Sequence, residues 1–339
     1  MRSCHPHLSG EGRSTTDVTA EAFLTREPGV TGEFGIIERL RLRQSPPDGQ
    51  VWAGDDVAIV PGPAGALLLA ADATVAGVHA DLSLVGVDDM GWKALVANLS
   101  DIAAVGGRPT YALVTLAGPL GNVDVDLLYD GLTAASDAYG CPVVGGDLSD
   151  APTLVVAVAI AGDGGTDERP PVLRSGARPG DGLWVTGPLG SSAAGLALLR
   201  ADRASEAPDL TLAHRRPRPR LAEGAAARAA GATAMIDVSD GMAADVGHLA
   251  RCSGVGVVID RVPVAIGVSR VSDRPEDLAL GGGEDYELIF AAPDEARVEE
   301  VFTEAGLGVP LRIGRCTADA TERRLRDGAL PSLGWEHAW

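Results

Sequence analysis

Acidic residues recur in this chain where short aliphatic segments run into glycine or loop-forming residues. Five such motifs and a sixth acidic turn are spread along the sequence: Gly54-Asp55-Asp56, Ala71-Asp72-Ala73, Asn98-Leu99-Ser100-Asp101, Gly145-Gly146-Asp147, Ile236-Asp237-Val238-Ser239-Asp240 and Gly281-Gly282-Gly283-Glu284-Asp285. Most of them follow a β-branched or aliphatic segment, where strands of α/β proteins give way to active-site loops. The pattern therefore predicts an α/β fold in which strand ends bring carboxylates together.

Carboxylates gathered in this way need a cation between them. Two carboxylates ~4 Å apart repel by about 4 kcal/mol at an effective dielectric of roughly 20. A larger cluster is therefore untenable without protons or metal ions. Hard oxygen ligands with no accompanying set of His and Cys favour Mg²⁺ over zinc. Because carboxylate-bound Mg²⁺ commonly holds phosphate groups, the motifs indicate phosphate chemistry.

The charge balance limits the ligands that the chain can bind. Lys and Arg total 28 against 47 Asp and Glu, which gives a formal net charge of −19. Such a balance argues against nucleic acid as a partner. Phosphate ligands remain compatible with it if Mg²⁺ presents the positive face to them. Lys93 is the only lysine and no GxxxxGK[ST] segment is present, so a P-loop is excluded.

Length, hydropathy and cysteine usage indicate a cytoplasmic protein of two domains. A chain of 339 residues can build two cores. No segment approaches ~20 uninterrupted apolar residues, so we expect no membrane span. The first residues lack the apolar stretch of a signal peptide. The four cysteines form no CxxC pair, which favours reduced thiols.

Periodicity predicts strands and helices that alternate on both sides of a Gly/Asp/Pro-rich segment at 162–171. Residues 1–30 are polar and aperiodic, so we expect a disordered leader. Before the boundary, helices are expected near 31–45, 90–104 and 125–139, and strands at 57–60, 66–71, 111–116, 142–144 and 154–160. After it, strands are expected at 182–186, 234–237, 255–259 and 286–291, and helices at 191–199, 220–230, 243–252 and 275–280. The predicted domains are therefore 31–165 and 166–339, both α/β.

Several of these features have ordinary structural interpretations. The Gly54 and Gly145 motifs could be tight turns, and Ser239 or Asp240 could be an N-cap. His79 could be a loop histidine, and Lys93 and Arg174 could be solvated surface charges. The arginine-rich segment 215–220 fits a solvated connector. The turn at 187–192 suits an anion at a helix N-terminus, although glycine-rich turns of this kind are common.

Three features are harder to explain by local structure alone. Asp237 lies inside the end of an aliphatic strand, where a capping role does not account for it. Asp101 closes a predicted helix, where an acidic group opposes the helix dipole unless a cation compensates. The three glycines before Glu284 carry an entropy cost that a routine turn does not require, and close approach of a ligand would explain them.

The motifs, in this order, resemble those of the thiamine-monophosphate kinases, a family in the superfamily of aminoimidazole ribonucleotide synthetase and selenophosphate synthetase. The resemblance runs from Gly32-Glu33-Phe34-Gly35-Ile36-Ile37 to Gly334-Trp335-Glu336-His337. It implies a two-domain α/β fold with mixed sheets, whose N-terminal domain forms a β-barrel with its twin in a homodimer. It also implies ATP-dependent phosphorylation of thiamine monophosphate to thiamine diphosphate, with several Mg²⁺ ions per site.

The resemblance assigns roles to individual positions. The catalytic carboxylates, which would also bind Mg²⁺, are Asp56, Asp72, Asp101, Asp147, Asp237 and Asp240. Ala70 and Ala71 would reach the metals through backbone carbonyls. ATP would be contacted by Tyr129, Gly146, Asp147, Arg174 and Ser239. Thiamine monophosphate would be contacted by His79, Glu284 and Trp335.

The chain departs from the family pattern at three places. Ala70-Ala71 stands where Ser-Thr is common, Leu148 replaces a usual Thr, and Ala80 replaces an aromatic residue. Two alternatives to a kinase for thiamine monophosphate follow. One is another ATP-using enzyme of the same superfamily. The other is a nucleotide and metal sensor without turnover, which the loss of the two hydroxyl groups motivates.

Overall fold

The computed structural model describes residues 33–53, 57–165 and 169–335. The predicted leader at 1–30 and the pair Asp55-Asp56 lie outside this part of the chain. The described residues form two sheets, one of four strands and one of seven, each with its own helices. The predicted two-domain α/β architecture with mixed sheets is confirmed. Within the described ranges, no helix is long and apolar enough to cross a membrane.

The first domain packs helices on one face of its sheet. Its elements are α1 (Glu33–Arg41), β1 (Leu67–Val75), α2 (Val87–Ala104), β2 (Arg108–Gly118), α3 (Val125–Tyr139), β3 (Val143–Asp150) and β4 (Val155–Asp163). The strand order is β1-β4-β2-β3, with β2 and β3 parallel and the other two pairs antiparallel. Side chains of α2 and α3 pack with Val114 and Val158 in the core. The residues that alternate with these strand positions face outward, as the two-residue period of a strand requires.

The second domain buries both faces of its sheet. Its elements are β5 (Gly182–Val185), α4 (Ser191–Arg200), α5 (Pro208–Arg215), α6 (Leu221–Ala229), β6 (Ala234–Asp237), α7 (Met242–Ser253), β7 (Gly256–Ile259), α8 (Pro275–Gly281), β8 (Leu288–Ala292), α9 (Glu295–Glu304), β9 (Leu311–Thr317), β10 (Arg323–Leu325) and β11 (Gly328–Ala329). The order is β11-β10-β7-β9-β5-β8-β6. Helix α7 covers one face, and α6 and α9 cover the other. Strands β5, β6, β7 and β8 are buried throughout, which explains their continuous apolar sequences.

Helix α2 joins the two domains. Its middle packs in the first core, while its C-terminal residues Ala103 and Ala104 pack in a cluster of the second domain. Gly224 on α6 lies against this end of α2, and a Cβ atom there would collide with the carbonyl oxygen of Ala103. The close approach of the two helices therefore requires glycine at position 224.

The arginine-rich segment before α6 is anchored to the rest of the protein. Arg216 pairs with Asp88 at 2.5 Å and with Asp89 at 2.8 Å, and its guanidinium lies 5.6 Å from the centre of the Trp92 ring. Arg220 pairs with the buried Glu287. The interpretation of this segment as a solvated connector was wrong, because its charges meet carboxylates from other elements.

Other predictions about local structure also need correction. Residues 57–60 form no strand; Ile59 makes only an isolated bridge with Val51. Strand β3 continues through Gly145-Gly146-Asp147 to Asp150, so these residues are not a turn at the end of a strand. The pairing of β2 with β3 is irregular between Ala112 and Leu113, and a Cβ atom on Gly146 would collide with the backbone of Val114. Helices α5 and α9 and strands β9, β10 and β11 were not predicted.

Candidate active site

A cavity of about 790 Å³ lies where α2 and β1 of the first domain meet loops of the second. Its walls include six of the residues predicted for the site: Asp72, His79, Ser239, Asp240, Glu284 and Trp335. Three apolar side chains, Leu196, Leu278 and Val78, also line it. The cavity therefore combines carboxylates with apolar surface, as a site for an organic phosphate would require.

Carboxylates from both domains meet beside this cavity. Asp72 lies within β1, Asp101 in the last turns of α2, and Asp237 at the end of β6. Burial, followed by the charges of Asp237 and Asp72, raises the pKa of Asp101 to about 7. Burial also raises the pKa of Asp72 and of Asp237. These groups interact, and they bind protons more tightly than ordinary aspartates because their charges are poorly solvated.

The motif Asn98-Leu99-Ser100-Asp101 places three polar groups in this region from one turn of α2. Asn98 accepts a hydrogen bond of 3.1 Å from the backbone N–H of Asp72 through its Oδ1. Ser100 Oγ donates one of 2.7 Å to Oδ2 of Asp237. Leu99 is fully buried in the first core. The motif therefore fixes β1 and β6 to α2 and brings Asp101 close enough to interact with both aspartates.

Asp245 is an acidic residue of this region that sequence analysis missed. It lies in the first turn of α7 and is buried. Its Oδ2 accepts hydrogen bonds from the backbone N–H groups of Asp240 (3.2 Å) and Gly241 (3.1 Å). Burial, and then the charges of Asp237 and Asp240, raise its pKa to about 8. An acidic residue in the first turn of a helix is common, so the sequence carried no distinctive signal for it.

The loop between α8 and β8 folds against the loop that follows β6. Glu284 has φ +64° and donates its N–H to Ser239 O at 2.9 Å; Tyr286 has φ +50° and donates to Val238 O at 3.0 Å. A Cβ atom on Gly283 would collide with Ser239 O, and one on Gly282 would collide with Leu278 O. These two glycines are required by contacts within the protein, so close approach of a ligand is not needed to explain them.

Asp285 of the same loop caps helix α4. Its carboxylate accepts hydrogen bonds from the N–H groups of Gly190 (2.6 Å) and Ser192 (3.0 Å). Burial raises its pKa to about 6 despite these hydrogen bonds. The predicted anion site at the start of this helix is therefore occupied by a carboxylate of the protein itself.

A buried polar network that sequence analysis did not predict also lines the cavity. The side chain of Lys93 is only 3% exposed, and its Nζ lies 2.8 Å from Glu284 Oε2. His214 Nδ1 lies 3.6 Å from the same oxygen and 3.1 Å from Ser192 Oγ. Burial, and then the charges of Lys93, Arg200 and Arg215, lower the pKa of His214 to about 3. The interpretation of Lys93 as a solvated surface charge was wrong.

Two predicted residues of the site lie away from these carboxylates. Asp147 pairs with Thr115, Thr115 with Ala157 and Ala157 with Ala73, so Asp147 shares the outward face of the sheet with Ala73. Asp72, the next residue along β1, faces the helices instead. Asp147 lies on β3, three strand spacings or ~14 Å across the sheet from β1. Tyr129 packs on α3 against the first core, and burial raises its pKa to about 12.

The remaining predicted residues have the following positions. Arg174 is exposed, and its positive charge acts to lower the pKa of Asp72, Asp101 and Asp237. Ala71 is exposed and Ala70 is half-buried on β1, and Gly146 is exposed on β3. Asp56 falls outside the described residues. Within the part of the chain that the structure describes, no group of three or more His, Cys, Asp or Glu is arranged to hold a metal ion.

Comparison with known proteins defines the class to which this fold and cavity belong. The family model for AIR synthase related protein, N-terminal domain, matches residues 54–163, and that for the C-terminal domain matches residues 178–325. The first match contains the whole four-stranded sheet, and the second contains the seven-stranded sheet except for β11. The chain is thus an AIR synthase related protein in both of its domains.

More similar relatives narrow this class to one family. Thiamine-monophosphate kinase of Escherichia coli (strain K12) is 38% identical over 322 residues, which cover 90% of this chain and 97% of the relative. A crystal structure of thiamine-monophosphate kinase from Stenotrophomonas maltophilia is 32% identical with a TM-score of 0.77, covering 87% and 96%. A structure described as AaThiL complexed with AMPPCP and TMP is 33% identical with a TM-score of 0.72, covering 91% and 97%. The chain belongs to the thiamine-monophosphate kinase family.

Proposed function

We propose that this protein transfers the γ-phosphoryl group of ATP to thiamine monophosphate and so forms thiamine diphosphate. The observation that carries the proposal is the cavity between the domains, in a chain 32 to 38% identical to the thiamine-monophosphate kinases compared above. Its walls offer carboxylates for a phosphate-bound metal, and they also offer an anion and an aromatic ring for a cationic substrate.

For this reaction the protein needs mainly to align the two phosphate groups and to stabilise the negative charge between them. The acceptor is a phosphate monoester whose second pKa is ~6, so at neutral pH it is mostly dianionic. It can attack without a general base. Phosphoryl transfer then depends on bringing the two phosphates into line and on stabilising the charge between them. The polar side chains that meet at the joint of the two domains serve this alignment.

The donor groups beside the cavity fit Mg²⁺. Asp72, Asp101, Asp237 and Asp240 offer hard oxygen ligands of the kind that Mg²⁺ prefers, and the charges of Asp237 and Asp72 add to burial in raising the pKa of Asp101. We propose that they hold Mg²⁺ together with Asp56 and the backbone carbonyls of Ala70 and Ala71, and that Asp147, on the outward face of the sheet, binds a separate Mg²⁺ ion. When bound, the metal neutralises phosphate charge.

The substrate end of the cavity suits a positively charged heteroaromatic ring. The Glu284 carboxylate can face the thiazolium, and Trp335, which is 54% exposed, can stack on it as a cation–π partner. The backbone N–H of Trp335 donates to Asp240 O at 2.9 Å, which ties this aromatic residue to the acidic side. His79 completes the proposed contacts. ATP would be contacted by Tyr129, Gly146, Asp147, Arg174 and Ser239.

We further propose a homodimer built on the outward face of the first sheet. On this face Leu69 is 74% exposed and Leu113 is 46% exposed, beside Ala71, Ala73 and Ala159. An apolar sheet face of this kind is typical of a covered interface. Closure of two such sheets would form the β-barrel expected for the family, in a cytoplasmic enzyme. Leu69→Asp should convert a dimer into a monomer in sedimentation, whereas a wild-type monomer would refute the proposal.

The activity is tested by incubating the purified protein with ATP, Mg²⁺ and thiamine monophosphate and resolving the products by chromatography. We expect ADP and thiamine diphosphate in equal amounts. ADP without thiamine diphosphate would reject this acceptor and favour another ATP-using enzyme of the superfamily. Tight ATP binding with no product at all would favour a sensor.

A further inference from the structure

Lys93 connects two of the residues proposed to contact the substrate. It lies in the middle of α2, and its Nζ donates to Glu284 Oε2 at 2.8 Å and to the carbonyl oxygen of His79 at 3.2 Å. His79 belongs to the first domain, in the loop after β1, whereas Glu284 belongs to the second. One ammonium group therefore fixes both sides of the cavity.

The Lys93 ammonium group is buried, so its charge needs a partner. A lysine side chain that is 3% exposed is tolerated only when its charge is paired and hydrogen-bonded. Glu284 supplies the opposite charge, and 26% of its side chain remains exposed. Since Glu284 also lines the cavity, the paired carboxylate stays accessible to a ligand.

The backbone around Glu284 restricts the carboxylate further. At φ +64° this residue adopts a conformation that side-chain-bearing residues rarely take, and its N–H is held by Ser239 O. Such a conformation persists only where surrounding contacts enforce it. The backbone therefore sets the direction of the side chain, and Lys93 sets the position of its end.

The neighbouring histidine does not replace the lysine. His214 Nδ1 lies 3.6 Å from Glu284 Oε2 and 3.1 Å from Ser192 Oγ. Burial keeps its pKa near 3, so the imidazole is neutral at neutral pH. The positive charge that balances Glu284 within this network comes from Lys93.

We infer that Lys93 is a positioning residue for substrate recognition: it holds the Glu284 carboxylate and the His79 loop in the arrangement that receives a cationic heteroaromatic substrate. The inference rests on the proposed kinase function and assigns to Lys93 no contact with ATP. It predicts that loss of Lys93 weakens the binding of thiamine monophosphate but not the binding of ATP.

Lys93 also has an effect that opposes substrate binding. The ammonium also reduces the attraction between Glu284 and a cation. Without Lys93, however, a partly buried carboxylate would turn towards solvent or take up a proton, because its charge would lose its partner. Either change removes the anion from the place where the substrate needs it, so the positioning effect dominates.

The test compares Lys93→Met, Glu284→Gln and the double variant in steady-state kinetics with both substrates. We expect Lys93→Met to raise KM for thiamine monophosphate at least tenfold while KM for ATP stays within twofold. In the Glu284→Gln background, Lys93→Met should raise KM for thiamine monophosphate by a clearly smaller factor than in wild type, because only the contact with the His79 carbonyl remains to be lost. Independent effects of the two substitutions would overturn the inference.

Arg216→Met provides a matched control. Arg216 also pairs across the domain joint, with Asp88 and Asp89, but does not line the cavity. We expect a lower melting temperature with KM for thiamine monophosphate within twofold of wild type. If Lys93→Met behaves in the same way, or raises KM for both substrates equally, Lys93 only fastens the domains and the inference fails.

Two further measurements keep the test decisive. If Lys93→Met does not fold, Lys93→Arg retains the charge but places a larger, planar group between His79 and Glu284. Calorimetric titration of this variant with thiamine monophosphate should then give a Kd raised at least threefold, and an unchanged Kd would overturn the inference. If wild type forms no thiamine diphosphate, the proposed function fails, and the Kd of wild type and of Lys93→Met for thiamine monophosphate still tests the inference: equal values would overturn it.

Discussion

Ser100 Oγ donates a hydrogen bond of 2.7 Å to Oδ2 of Asp237, which joins α2 of the first domain to β6 of the second. Both residues are buried. The same turn of α2 carries Asp101, whose pKa is raised to about 7 partly by the charge of Asp237. The joint between the domains is therefore also the place where the proposed metal-binding carboxylates meet.

Removal of the Ser100 hydroxyl should destabilise this joint. Ser100→Ala leaves a buried carboxylate without its donor, and the expected loss in the free energy of unfolding is about 1–3 kcal/mol. Ser83 makes a similar but exposed hydrogen bond with Asp81 at 2.6 Å, so Ser83→Ala should cost below about 0.5 kcal/mol. Denaturant unfolding of the two variants measures the difference; equal losses would show that burial does not matter here.

Substitution of Asp101 should affect activity and stability in opposite directions. Asp101→Asn removes a proposed metal ligand, and we expect turnover to fall by orders of magnitude. It also removes a negative charge that is disfavoured by burial and by repulsion from Asp237 and Asp72. The free energy of unfolding of the metal-free protein should therefore increase by about 1–3 kcal/mol at pH 8. Asp137, exposed near the end of α3, provides the control Asp137→Asn, with little effect on either quantity. Unaltered rates in Asp101→Asn would remove this residue from the proposed site.

Stability of the metal-free protein should decrease as pH rises. The pKa of Asp101 is about 7 and that of Asp245 about 8 in the folded protein, above the ordinary value of 3.8. Between about pH 6.5 and pH 8, where the lowered pKa of His214 no longer opposes the effect, these two carboxyl groups hold more protons in the folded state than in the unfolded state, so the free energy of unfolding falls. Added Mg²⁺ should restore stability more at pH 8 than at pH 5.5, because the ion binds ionised carboxylates. Unfolding curves in chelator and in Mg²⁺ measure both effects; stability that rises with pH over this window would contradict them.

Asp285 should be important for folding because it caps a helix from a distant loop. Asp285→Ala leaves the N–H groups of Gly190 and Ser192 without their acceptor, and we expect a loss of about 1–3 kcal/mol. Asp294 caps α9 from an exposed position through Arg297 N–H at 3.1 Å, and Asp294→Ala should cost about 0.5–1 kcal/mol. A smaller loss at Asp285 than at Asp294 would contradict this account.

The sequence was most informative where a pattern is local. The bounds predicted for α3, 125–139, agree with the observed Val125–Tyr139. Local signals set these bounds: Asp124 caps the start of the helix, and Gly140 ends it with φ +62°. Continuous aliphatic segments predicted the buried strands of the second domain. In contrast, 57–60 looked like a strand by composition but lacked a partner beyond one bridge with Val51.

Long-range features were less accessible. The cap formed by Asp285 and the burial of Lys93 depend on contacts between residues far apart in sequence. The raised pKa of Asp245 depends first on its burial, which the sequence around it does not indicate. Lys93 lies 191 positions from Glu284, and neither local composition nor periodicity indicates that they meet. The strand position of Asp147 was missed because glycine pairs usually signal turns, whereas here they lie within β3.

The central claim is that carboxylates from both domains act together. Metal binding to the assembled site is the most direct test of it. Calorimetric titration of the protein with Mn²⁺, in the presence of a nonhydrolysable ATP analogue and thiamine monophosphate, counts the bound ions. The account predicts saturable binding in wild type and the loss of at least one ion in both Asp101→Asn and Asp237→Asn. The same number of ions, bound with the same affinity in all three proteins, would contradict it.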